Sequence, residues 1–252
     1  MILGFSSGPG EALLLAEVES TNDEVRRLAA AGQTGPLWVR AEVQTRGRGR
    51  RGRTWLGAPG NVYTTGLFTL SCPPQEAANL SFVAALAVAE AISAWVPSDL
   101  VRLKWPNDVL LDGRKACGIL LESWHGQGGE LHLAVGIGIN VLTHPDGLDQ
   151  PVTCIRDHAL PNRPFCTAEA LFDGVRSQFH HFAGIWQADG FAPIASAWLA
   201  RATGLGDPIE VRLPHSRLHG RFAGLGLTGA LQLADEAGRI TEVTAGDVFF
   251  GG

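Results

Sequence analysis

The sequence predicts an α/β (α+β) domain followed by a small all-β module. Three observations carry this: apolar residues alternate with period two in several stretches, helical segments separate those stretches, and helical periodicity disappears after TGLGDP (203–208). In chain order, ALLLAEVE (12–19) reads as a strand. STNDEVRRLAAAG (20–32) reads as a helix opened by a capping box between Thr21 and Glu24 and closed at Gly32. LWVRAEVQ (37–44) alternates like a strand and leads into an Arg/Gly loop, TRGRGRRGRTW (45–55). NVYTTGLFTLS (61–71) is a strand rich in β-branched and aromatic residues, and the apolar segment 76–95 is a buried helix that stops before Pro97. VRLKW (101–105), DVLL (108–111), KACGILLESW (115–124) and LHLAVGIGINV (131–141) follow as strands, with Asp112-Gly113 a hairpin turn. Residues 145–166, rich in Pro, Asp and Asn, form an irregular connection. Helices are expected over 167–188 and 190–202, with Pro193 in the first turn of the second.

From Pro208 to Phe250 the segments IEVRL, LHGRFAGLG, ALQLAD, ITEVTAG and DVFF are short and separated by turns. They read as a small β-barrel, or alternatively as an extra sheet layer on the main domain. The Gly/Asp/Pro punctuation places a boundary between 1–205 and 206–252.

With 252 residues, 45% hydrophobic and 18% charged, the chain is long enough to bury a sizeable core. Residues 1–19 lack a basic start, and their short apolar run ALLLA is flanked by Glu11 and Glu17. Neither a signal peptide nor a membrane span is expected, and a cytoplasmic location follows. The cysteines Cys72, Cys117, Cys154 and Cys166 show no CxxC spacing, which favours reduced, mostly buried thiols over disulfides or a structural metal.

The formal net charge is -5, yet Arg48, Arg50, Arg51 and Arg53 crowd into one loop. Such a loop can be a nucleic-acid patch, a solvated basic surface or a cage for a small anion. The rest of the chain offers no basic stripe, which argues against nucleic acid. Gly47 and Gly49 let the backbone approach a ligand, and the guanidiniums between them are forked donors for carboxylate or phosphate oxygens, so a cage fits best. A P-loop and a dinucleotide fingerprint are both absent.

A second cluster, KWPNDVLL, puts an ammonium (Lys104), an amide (Asn107) and a carboxylate (Asp108) around Pro106. Either Asn107 and Asp108 bond their own backbone in a turn, or Asp108 helps to hold Mg²⁺ beside phosphates. The chain has only two lysines, Lys104 and Lys115. Their survival among arginines suits sites needing a compact ammonium, with coding bias the other explanation.

Taken in order, ESTND, GRGRRGRTW, KWPNDVLL, GRKACGILLES and VGIGINV closely resemble the biotin protein ligases over nearly the whole chain. The resemblance implies a catalytic domain like those of class II aminoacyl-tRNA synthetases, with a mixed, largely antiparallel sheet, plus a C-terminal SH3-like β-barrel. It implies two steps: biotin and ATP give biotinyl-5′-AMP, and the biotinyl group then passes to a lysine of a biotin carboxyl carrier domain of acetyl-CoA carboxylase. It assigns biotin binding to Ser20, Thr21, Asn22, Gln44, Arg48, Gly49, Arg50, Lys115 and Gly118. ATP falls to Arg48, Arg50, Lys104, Asn107, Asp108, Lys115 and Asn140, with Mg²⁺ near Asp108. Arg48, Arg50 and Lys115 are the catalytic cations, while Arg51, Arg53 and Trp55 anchor the loop.

Alternatives stay open at some of these positions. Thr21 can serve as a helix cap, Lys115 can be a solvated lysine after a turn, and Gly136 and Gly138 can merely accommodate helix packing. The ligase signature begins almost at once, leaving no room for the N-terminal winged-helix domain of the bifunctional relatives, so a monofunctional enzyme is expected. A homodimer is compatible with the chain. Some relatives cover adenine with a tryptophan after GINV, which is absent here. Rival readings are a lipoate ligase or octanoyltransferase, and a non-enzymatic biotin-binding or RNA-binding module.

Overall fold

The computed structural model describes residues 8–55, 57–148, 150–161 and 163–250. Its order is β1 (Glu11–Val18), α1 (Thr21–Ala30), β2 (Leu37–Gln44), β3 (Gly47–Arg48), β4 (Thr54–Trp55), β5 (Val62–Leu70), α2 (Pro74–Ala77), α3 (Leu80–Ser93), β6 (Val101–Lys104), β7 (Asp108–Leu111), β8 (Arg114–His125) and β9 (Leu131–Ile139). Then come α4 (Ala168–Asp189), α5 (Phe191–Leu199), β10 (Pro208–Arg212), β11 (Arg217–Leu225), β12 (Leu231–Ala234), β13 (Ile240–Val243) and β14 (Asp247–Phe250). Seven strands form one sheet in the order β1-β2-β5-β9-β8-β7-β6. Only β1 and β2 run parallel, because α1 carries the chain back between them; every other neighbour pairs antiparallel.

Strand periodicity divides the sheet into two faces. Phe68, Leu70, Leu133, Val135, Ile137 and Ile119 point to a large core shared with α3, α4 and α5. Nearly all of α3 is buried, as its apolar circumference requires. Pro74–Ser93 is apolar and long enough to cross a membrane, but 72% of its most apolar window is buried inside the fold. The expected helix over 76–95 is in fact two pieces, α2 and α3, with Ala78 and Asn79 between them. On the opposite face α1 buries Val25 and Ala29 against Val39, Leu67 and Ala134.

One row of residues crosses that second face in register: Lys104, Asp108, Gly118, Gly138, Tyr63, Ala41 and Leu15. Beside it the β7–β8 ladder skips Ala116, so that Leu110 pairs with Lys115. This one-residue bulge sends Ala116 into the core and turns Lys115 onto the face of Gly118, where strict alternation would have aimed it the other way.

Two local expectations need correction. The α1 N-cap is Ser20, with no side-chain capping bond, and Thr21 is the first helical residue. Thr21 and Glu24 form no capping box, because Glu24 is taken by Arg27 and Thr21 by Gln44. In the C-terminal region the expected barrel is an open antiparallel sheet, β13-β12-β11-β10-β14, with no closing pair among the described residues. Its edge strand β14 turns Asp247, Phe249 and Phe250 towards the main domain instead of pairing with β13.

Candidate active site

A polar network grows from the start of α1. The Thr21 amide and hydroxyl donate to Gln44 Oε1 at 2.8 and 3.0 Å, which ties α1 to the end of β2. Thr65 Oγ1 lies 2.8 Å from Thr21 Oγ1 and donates to Asn22 Oδ1 at 2.6 Å. Asn22 Nδ2 donates onward to Glu122 Oε2 at 2.8 Å, and the same oxygen accepts from Arg48 Nη2 at 3.0 Å. Ser20, Thr21, Asn22, Gln44 and Thr65 are all buried. The chain of bonds fixes each amide's orientation, because donors and acceptors must alternate along it. A Cβ at Gly136 would lie 2.3 Å from Asn22 Oδ1, so that glycine makes room for the amide.

The Arg/Gly loop is a small structure of its own. Gly47 pairs with Trp55 and Arg48 with Thr54, and the Gly49 amide donates to Arg53 O at 2.7 Å. A Cβ at Gly47 would meet Gln44 Nε2 and Trp55 O at 2.4 Å. Gly47 thus serves close packing of the loop, and the Gly49 amide is engaged internally rather than presented to a ligand. Each arginine has a partner: Arg48 pairs with Asp23 (2.7 Å) and Glu122, Arg50 donates to Asn107 Oδ1 (3.0 Å), and Arg51 and Arg53 both reach Asp247. The local excess of positive charge is therefore matched by the protein's own oxygens. Burial pushes the Arg50 pKa down, while the negative charge of Asp247 and Asp108 opposes that shift.

The second cluster meets the loop here. Lys115 Nζ lies 2.7 Å from Asp108 Oδ1. That buried oxygen has no hydrogen-bond partner, so charge rather than hydrogen-bond geometry holds the pair. Lys115 also lies 5.6 Å from the Trp55 ring centroid. A Cβ at Gly118 or Gly138 would come within 2.9 and 2.6 Å of the Trp55 ring, so these two glycines seat the indole. Packing against α-helix is thus the right explanation for Gly136, which faces α1, and the wrong one for Gly138. Asn107 Nδ2 donates to Ile119 O at 2.6 Å. Neither Asn107 nor Asp108 uses its side chain for the turn bonds considered above. Lys104 stands opposite Asp108 in the β6–β7 ladder, with its ammonium 5.6 and 5.4 Å from the rings of Phe249 and Phe250. Burial lowers its pKa, and Asp108 counters this.

Among the expected residues, Thr21, Asn22, Gln44 and Arg48 are joined by one chain of bonds through Thr65 and Glu122, and Arg50, Lys104, Asn107, Asp108, Lys115 and Gly118 by pairings at the other end of the same sheet face; Ser20 is buried at the start of α1, and Gly49 lies within the loop. Asn140, next to Lys115 through Ala116, is buried; its Nδ2 donates to Thr153 O and its backbone oxygen accepts from Ile155 N, so it fastens the irregular connection to the sheet. Sequence reasoning missed Asp23, Thr65, Glu122 and Asp247. Glu122 was within reach, since it shares parity with Gly118 along β8. A groove of about 840 Å³ lies on the C-terminal sheet, lined by Glu210, Arg212, Phe249 and Phe250 among others. It contains none of the expected site residues, and the convergent polar groups of the main sheet mark the chemistry better than its volume does.

Residues 14–140 match the profile described as "Biotin/lipoate A/B protein ligase family". The chain belongs to this family. A second profile, "Biotin protein ligase C terminal domain", matches residues 204–251. The chain is similar to the biotin–[acetyl-CoA-carboxylase] ligase of Paracoccus denitrificans, 42% identical over 246 residues, which are 95% of this chain and 100% of that one. It is also similar to the enzyme of the same name from Mycobacterium tuberculosis, 32% identical over 98% of this chain and 91% of the relative. Among solved structures, the Aquifex aeolicus biotin protein ligase in complex with biotin and ATP superposes with a TM-score of 0.76. It is 26% identical, and the match covers 95% of this chain and 97% of that one. The mixed, largely antiparallel sheet followed by a C-terminal β-sheet is thus the family's fold.

Proposed function

We propose that the chain activates biotin with ATP to biotinyl-5′-AMP and transfers the biotinyl group to a lysine of a biotin carboxyl carrier domain of acetyl-CoA carboxylase. The observation that carries this reading is the adjacency, on one sheet face, of a neutral buried network and a cluster of cations. The network (Thr21, Asn22, Gln44, Thr65), with Ser20 buried at its edge, suits an uncharged ring with N–H and C=O edges, such as the ureido group of biotin. The cations (Arg48, Arg50, Lys115) suit a carboxylate meeting a phosphate. The relatives' names, and the biotin and ATP held by the Aquifex aeolicus enzyme, support the same substrates.

In the first step a biotin carboxylate oxygen bonds to the α-phosphorus of ATP, the P–O bond to the β-phosphate breaks, and pyrophosphate leaves. Two unit charges of like sign about 4 Å apart repel by roughly 4 kcal/mol at an effective dielectric near ~20. Arg48, Arg50 and Lys115 offset that repulsion and meet the charge that develops on phosphorus. Because biotin supplies the nucleophile, no protein nucleophile is required. In the second step the acceptor amine bonds to the biotinyl carbonyl carbon, the C–O bond to AMP breaks, and the nitrogen loses a proton.

Mg²⁺ fits the residues present. The buried Asp108 Oδ1 makes no hydrogen bond and is balanced by the Lys115 ammonium at 2.7 Å, and no cluster of three or more His, Cys, Asp or Glu side chains occurs among the described residues. One carboxylate together with substrate phosphates is the usual way this ion is held. Bound there, it would neutralise phosphate charge. Lys104 and Asn107 orient the triphosphate beside Asp108, and Arg50, held by Asn107, is positioned to meet the acyl phosphate.

The deciding experiment incubates the protein with radiolabelled biotin, MgATP and a biotin carboxyl carrier domain. Label on the carrier is expected, with pyrophosphate released when biotin is present and not when lipoate replaces it. A competent carrier left unlabelled would overturn the reading, and lipoate-dependent pyrophosphate release would move the substrate to the other acid.

A further inference from the structure

The Arg/Gly loop is fastened to the C-terminal sheet at a single carboxylate. Arg51 Nη1 and Arg53 Nη2 approach the same oxygen, Asp247 Oδ2, at 2.9 and 2.6 Å. Asp247 opens the edge strand β14, whose register against β10 places it opposite Arg212 and whose next residue, Val248, is buried in the shared core. The carboxylate therefore stands on a rigid element, whereas the arginines stand on a loop. Arg51 has φ 55° and ψ 35°, a left-handed conformation that a bulky non-glycine residue rarely occupies unless something beyond the local backbone holds it. The same strand sets Phe249 and Phe250 against Lys104, so β14 touches both clusters of the site. Asp247 also favours the charged form of Arg50, which its partner arginines follow in sequence.

We infer that Asp247 is a positioning residue of the ligase site: by clasping Arg51 and Arg53 it holds the loop in the shape that keeps Arg48 and Arg50 over the reacting carboxylate and phosphate. The C-terminal sheet thereby takes part in retaining the reactive adenylate without touching it. This inference rests on the proposed ligase reading for its catalytic consequence, though not for the clasp itself.

The experiment compares Asp247→Asn, Asp247→Glu, Arg53→Gln and the Arg53→Gln/Asp247→Asn double variant with the unsubstituted protein, at low ionic strength where exposed pairs are least screened. One arm measures cleavage of the loop by subtilisin in the protein alone. The other measures release of biotinyl-5′-AMP after a single round of adenylation without acceptor. Asp247→Asn should raise both rates by about three- to tenfold, the range a pair of half-exposed ion pairs can supply. The melting temperature should stay close to that of the unsubstituted protein. Asp247→Glu should restore most of the retention, and the double variant should be no worse than the worse single variant, since both remove the same contact. Unchanged cleavage and release in Asp247→Asn, or strict additivity with Arg53→Gln, would overturn the inference. If the unsubstituted protein formed no biotinyl-5′-AMP, the ligase reading would fall on its own, while the cleavage arm would still decide whether Asp247 holds the loop.

Discussion

At Gly136 a β-carbon would sit 2.3 Å from Asn22 Oδ1, too close for either to stay in place. Gly136→Ala is therefore expected to push Asn22 out of its bonds to Thr65 and Glu122, destabilising the fold by about 1–3 kcal/mol as overpacked sites do. The sharper effect should be a higher KM for biotin with a smaller change in kcat, because the amide belongs to the binding network and not to the cationic cluster. Steady-state kinetics at varied biotin would check this, and an unchanged KM would remove Asn22 from the biotin site. The types of residue in this site were legible in the sequence: interleaved Arg and Gly, an isolated lysine pair, an Asn-Asp after proline. Their partners were not. Thr65 reaches Asn22 across 43 residues, and Arg48 reaches Glu122 across 74. Such pairings depend on strand neighbours and register, which local patterns do not encode.

Among the elements, the strands and long helices came close to their expected limits, since period two and an unbroken apolar run are local signals. The bulge at Ala116 was invisible, because nothing in RKACG distinguishes a skipped residue from a paired one. The exit of β9 has a structural role that local patterns do not show either. Asn140, expected at the nucleotide, fastens Thr153 and Ile155. A second asparagine, Asn61, anchors the next residues: its Oδ1 accepts from the amides of Val141, Leu142 and Thr143 at 2.8, 3.0 and 3.3 Å, and its Nδ2 donates to Thr143 O. Replacing Asn61 by alanine should leave those amides without their acceptor and cost about 1–3 kcal/mol. Hydrogen exchange should quicken at residues 141–143 and stay slow in the middle of β9. Uniform protection across both would show that Asn61 does not fasten this segment.

On the scale of the whole molecule, the sequence division at 205/206 coincides with no break in the packing. The core cluster that includes Leu86, Val135 and Phe179 also takes in Ile209, Val211, Phe222, Leu231 and Val248. Trp198 of α5 packs edge-on against Phe222, and the Trp105 indole donates to Gly229 O at 3.0 Å. We expect a single cooperative unfolding transition, with calorimetric and van't Hoff enthalpies in agreement; two separable transitions would show that the C-terminal sheet folds independently. The arginine clasp has a further consequence, which concerns time. Arg51 precedes its counter-charge Asp247 by 196 residues. At a synthesis rate of 5–20 residues per second, the loop waits about 10 to 40 seconds on the ribosome before the carboxylate is made. During that interval a basic segment of a growing chain stands without one of its acidic partners, and the synthesis of β14 ends this exposure.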